Sequence, residues 1–134
     1  MIPALSLGFM GLFGRSPALR IFDANLRALD LHPKLVPEAV KLAAMRILME
    51  ETDGANPSDQ ASKAAAELLA YCMVGDESFA AANGNFLTGE IESRIDAALD
   101  DDTSADAKLI LLALHANVIQ PSVVERYSLE ADTG

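Results

Sequence analysis

At 134 residues the chain has the length of one domain, enough to bury a single core without disulfides or a structural metal. It is 51% apolar and 22% charged, globular usage in which Ala, Leu, Glu and Asp outnumber Val, Thr, Tyr and Trp, so helix is favoured over sheet. A single cysteine, Cys72, rules out an internal disulfide and the multi-cysteine zinc patterns and fits a reducing cytoplasm; a formal charge of −10 argues against nucleic acid, whose phosphates are held by Lys and Arg.

That charge is uneven. Residues 1–49 hold six basic and three acidic side chains, net +3, whereas residues 50–134 hold four basic and seventeen acidic ones, net −13. The expected consequence is a basic first third packed beside acidic helices of the same domain.

The chain opens MIPALSLGFMGLFG, fourteen residues without a charge, before Arg15. This apolar N-terminal extension, residues 1–15, precedes a single helical domain over 16–134. Broken by Pro3, Gly8, Gly11 and Gly14, it falls short of the roughly 20 apolar residues a spanning helix needs. Its positive charge follows the apolar run instead of preceding it, unlike a secretory signal. Three uses stay open. It is a flexible or start-site extension, with Met10 an alternative start to Met1; or its apolar side chains, Phe9, Leu12 and Phe13 among them, dock on a groove of the bundle or of a neighbouring copy. In the third, the same residues enter a lipid surface with Arg15, Arg20 and Arg27 facing anionic headgroups, against the repulsion of the acidic remainder.

From residue 16 the periodicity is helical. Ser16-Pro17 supplies an N-cap and a first-position proline, and Leu19, Phe22, Leu26 and Leu29 recur at spacings of three and four, predicting a helix to about Leu31 that His32-Pro33 ends. Val36-Pro37 starts a second, with Val36, Val40, Ala43 and Ile47 as its stripe, stopping near Thr52. The Asp53-Gly54 turn that follows resembles turns in small helical-bundle proteins associated with tellurite resistance; no flanking pattern joins it, and ordinary Asp-Gly turn chemistry accounts for the dipeptide.

A third helix follows, capped by Asn56 with Pro57 in first position, its alanine-rich stripe of Ala61, Ala65, Leu68 and Cys72 permitting close approach. Gly75 should break or kink it, with Asp76 capping a short piece that carries Phe79 and stops at Asn83-Gly84. The segment NGNFLTG, 83–89, is the least regular interior stretch, ahead of a helix from about Gly89 to Leu99 with Ile91, Ile95, Ala98 and Leu99 inward. Asp100, Asp101 and Asp102 stop that helix, because acids disfavour a helix C-terminus. Thr103 then caps the next, with Asp106 completing a capping box. It carries LILLAL, 109–114, apolar on every side, and is expected to be the central helix, near 104–119. A short helix over about 122–129 follows Pro121. The fold expected is all-α, a compact bundle of about six helices.

Chemistry-bearing patterns are sparse. Asp100, Asp102 and Ser104 occupy the first, third and fifth places of a calcium loop, but Ala105 and Leu111 stand where it needs glycine and a bidentate glutamate. His32 reads as a helix-end residue, His115 as one at the core's edge, and Cys72, on an apolar stripe without basic neighbours, as an inert buried thiol. No serine elbow, phosphate-cradling glycine loop or HExxH is present. The segment GDESFAAANGNFLTG, 75–89, reads as a loop whose Phe79 and Phe86 are core plugs or, alternatively, ligand contacts.

These residues predict a cytoplasmic, bacterial-style protein without metal or cofactor. It is expected to be no enzyme but a non-catalytic protein–protein interaction module, self-associating or binding a protein partner, with Phe9, Leu12, Phe13, Arg15, Phe79 and Phe86 as candidate contacts. Peripheral membrane association through residues 1–15 and small-ligand binding at 75–89 are the alternatives.

Overall fold

A computed structural model describes residues 16–129, which form six α-helices and one 3-10 turn, with no strand among the described residues. The helices are α1 (Pro17–Ala28), α2 (Glu38–Glu50), α3 (Asp59–Asn83), α4 (Asn85–Leu99), α5 (Ala105–His115) and α6 (Pro121–Tyr127); the 3-10 turn, Pro33–Leu35, joins α1 to α2. The all-α bundle read from the periodicity is the observed fold.

Its core is one cluster fed by every helix: Phe22 and Leu26 from α1, Ala44 from α2, Leu68 and Leu69 from α3, Ile91 and Ile95 from α4, Leu109 from α5 and Val123 from α6. The apolar α5 packs on α2, α3 and α4, as an interior helix should, yet the helix that touches all five others is α3. Its buried Ala65, Ala66 and Ala70 let neighbouring backbones approach on several sides, which the bulkier leucines of α5 do not. At the opposite face of α5, Leu111 reaches solvent.

Gly75 is the one non-helical residue inside α3, at φ 88° and ψ 166°, so the kink expected there is real and α3 consists of two helical pieces. A break strands carbonyl oxygens in the turn before it. Gln120 satisfies two of them: its backbone N–H donates to Cys72 O at 2.8 Å and its Nε2 to Met73 O at 2.9 Å. The start of α6 is therefore hydrogen-bonded to the kink, and a Cβ added at Gly75 would sit 3.4 Å from Ser122 Oγ.

Several local expectations shift. Helix α1 stops at Ala28 instead of about Leu31, because Asp30 turns left-handed at φ 66° and lets Leu31 N–H donate to Leu26 O. Ser58, not Asn56, caps α3, its Oγ accepting from Ala61 N–H at 3.0 Å. Ser104, not Thr103, caps α5, while Thr103 folds onto the Asp101 carboxylate and Asp106 leaves the capping box to bind Arg94 through two hydrogen bonds of 3.0 and 2.8 Å. Residues 75–89 are no loop: apart from Gly75 and Gly84 they are helical, and α4 begins at Asn85 rather than Gly89, since Gly84 alone, at φ 93°, makes the turn.

Candidate interaction groove

A depression of about 630 Å³ lies between the first turn of α1 and the C-terminal half of α2. Helix periodicity builds its floor: Leu42, Met45 and Met49 follow one another at three and four residues and so form a single row on α2. Ala18 and Leu19 of α1 form the opposite wall, Ser16 and Gly54 also line it, and the exposed Arg46 and Glu50 supply its charge. Met45 and Leu19 are buried at the bottom, whereas Leu42 keeps 51% of its surface exposed.

The row exists because α2 is apolar on more than one face. Val40, Ala44 and Leu48 already supply its core stripe, so Leu42 and Met49 are surplus to what one buried stripe requires. The groove falls within the volume range of ligand pockets, about 300–1,000 Å³. Two methionines in its lining add flexible, polarisable surface that adapts to differently shaped apolar partners.

The bundle also brings together polar groups that lie far apart in sequence. Lys41, 4% exposed, donates from Nζ to Asp23 Oδ1 at 3.1 Å and to Pro33 O at 3.2 Å, tying α2 to α1 and to the 3-10 turn, with Glu38 Oε1 at 3.6 Å. Tyr71 donates to Glu92 Oε2 at 2.8 Å, and Arg126 reaches the same oxygen at 3.0 Å and Asp76 Oδ2 at 3.3 Å. Burial, then the neighbouring Tyr127 phenol and the Glu92 carboxylate, push the Tyr71 phenol well above its ordinary range, so it stays a donor. This second cluster latches α6 to α3 and α4.

The residues singled out in the sequence do not form one site. Phe9, Leu12, Phe13 and Arg15 lie outside the described residues. Phe79 is 1% exposed and packs edge-on against Tyr71 with ring centroids 5.8 Å apart, a core plug as expected. Phe86 corrects that same expectation: it stands 81% exposed on the first turn of α4, because the early helix start carries it outward. With 75–89 helical, the proposed ligand loop loses its premise.

Cys72 is fully buried, and burial pushes its thiol up to about 12, the inert state its surroundings predict. His32 caps the 3-10 turn, Nδ1 accepting from Lys34 N–H at 3.1 Å. His115 is exposed at the end of α5, further out than the core's edge. Among the described residues no group of three His, Cys, Asp or Glu is placed to hold a metal ion, and no helix is long and apolar enough to cross a membrane.

The groove had a sequence signal that periodicity alone passes over. Residues 42–49, LAAMRILM, carry only Arg46 as a charge, too apolar for a helix with one buried face. No protein-family model matches the chain, and no curated protein or solved structure does either.

Proposed function

We propose that the chain is a non-catalytic protein–protein interaction module of the cytoplasm that binds an apolar segment in the α1–α2 groove. The observation that carries this reading is the Leu42, Met45 and Met49 row, which lines the groove from a buried Met45 to a half-exposed Leu42. Anchoring by a few large apolar side chains in such a groove, with polar groups at its rim, is the usual way a helix or strand of a partner is held. Arg46 and Glu50 would set the direction in which the partner lies. Cys72 is buried with its thiol pushed up to about 12, the profile of a packing residue and not of a nucleophile.

Peptides selected from a random display library on the full-length protein test this reading. They should be rich in Leu, Ile, Phe and Met, and should lose binding to a Leu42→Asp protein while keeping it for Leu99→Asp. Both positions are half-exposed, so neither change disturbs the core. A selection that yields no peptide, or peptides that bind both variants alike, contradicts it.

A further inference from the structure

We infer that the groove's resident occupant in the free protein is the chain's own residues 9–15, docked in cis, so that a partner must displace them. The inference rests on the groove being a binding face, and four features of the chain support it.

First, the described chain begins at Ser16, which itself lines the groove. Second, the reach fits. Leu42 to Met49 spans seven residues of helix, about 10 Å at 1.5 Å per residue, and an extended chain advances about 3.3–3.6 Å per residue. The three residues from Phe13 to Ser16 thus span about 10 Å when extended, the whole length of the row, and the seven from Phe9 to Ser16 about 23–25 Å, so the segment is more than long enough to cover it. Third, the chemistry matches: residues 1–14 carry no charge, and Phe9, Leu12 and Phe13 are large apolar groups facing a lining of Leu, Met and Ala. Fourth, Arg15 directly precedes Ser16 in sequence, and the lining holds an acidic side chain, Glu50, as well as Arg46. A second apolar depression, between α4 and α5 beside Leu99 and Leu111, has about 210 Å³ and lies next to the other end of the described chain, at Leu129.

Docking in cis makes the module self-masking. A groove nine-tenths occupied by its own segment weakens apparent partner affinity about tenfold, because only the open fraction binds. Apolar residues of the segment would otherwise stand in water next to an apolar groove, a pairing that buries both.

The test is paramagnetic relaxation in the full-length protein. A nitroxide on Ser6→Cys labels one site, since Cys72 is fully buried and does not compete. In isotope-labelled protein diluted with an excess of unlabelled chains, the amide signals of Leu42, Met45 and Met49 should be lost while those of Leu111 persist, and Leu42→Asp should restore them. Signal loss that disappears on dilution would mean that the segment docks on a second copy and would overturn the cis assignment. Loss centred on Leu99 and Leu111, a weak uniform effect, or loss arising only with anionic vesicles would overturn it as well. In a Phe9→Asp/Leu12→Asp/Phe13→Asp protein, a groove-binding peptide should bind about tenfold tighter than to the parent. Equal binding to both would refute self-masking yet leave the groove a binding face, whereas no binding to either would refute the binding face itself.

Discussion

Lys41 shows how one side chain fixes the geometry of the groove's supporting helices. An ammonium this deeply buried is tolerable only where acceptors surround it, and Asp23 Oδ1 and Pro33 O provide them from two other elements. Lys41→Met keeps the packed stem but removes the buried ammonium that pairs with Asp23 and Pro33 O, and should cost about 3 kcal/mol in urea unfolding. Lys63→Ala removes an ion pair of similar length to Glu67, yet Lys63 is largely exposed, and it should cost less than about 0.5 kcal/mol. Equal losses in the two variants would show that burial does not separate them. Neither Lys41 nor Asp23 stood out in the sequence, because they are eighteen positions apart and nothing local joins them. The Tyr71, Glu92 and Arg126 cluster was hidden for the same reason.

Helices were legible where their signals are local. The Ser16-Pro17 start, the kink at Gly75 and the core stripe of α1 all follow from capping chemistry and a 3.6-residue period. Their ends were less so, because these helices stop by a device that does not need glycine. Asp30, Asp53, Asn117 and Ser128 all take left-handed φ between 54° and 66°. At Asp30, Asn117 and Ser128 the next residue's N–H donates back five positions, to Leu26, Ala113 and Val124 respectively, as at helix ends closed by glycine. An L-residue held there is strained by about 1 kcal/mol, and a carboxylate at a helix C-terminus also opposes the dipole. Asp30→Gly should therefore stabilise the fold by about 0.5–1 kcal/mol despite the greater freedom of its unfolded chain. A thermal midpoint unchanged or lowered by that substitution would be inconsistent with this account of the helix stop. The groove was only half legible: LAAMRILM announces surplus apolar surface, but its other wall comes from α1, and periodicity within one helix does not reveal that.

Taken together, the six helices divide the molecule's polar groups by origin. Among the described residues the ion pairs that cross between helices, Lys41 with Asp23, Arg94 with Glu67 and Asp106, Lys108 with Glu50, and Arg126 with Asp76 and Glu92, each draw both partners either from residues 1–49 or from residues 50–134, so the basic first third does not neutralise the acidic remainder through them. Three groups are held towards their protonated forms: burial raises the Cys72 thiol to about 12 and lifts the Tyr71 and Tyr127 phenols above their ordinary range. Unfolding would let these groups lose protons that the native state retains. Their contribution to stability is thus complete below about pH 9 and is lost as pH rises further, because the unfolded chain binds fewer protons. A thermal midpoint that falls steadily above about pH 9 is expected; one that holds level to about pH 11 would contradict it.

The α1–α2 groove is the binding face we propose for this bundle, and the most direct measurement is a nuclear magnetic resonance titration. A synthetic peptide of residues 1–15 would be added to full-length Phe9→Asp/Leu12→Asp/Phe13→Asp protein. Saturable shifts centred on Leu42, Met45, Met49 and Leu19 are the expected result. Shifts centred on Leu99 and Leu111, or none, would contradict the assignment of the α1–α2 groove as the binding face.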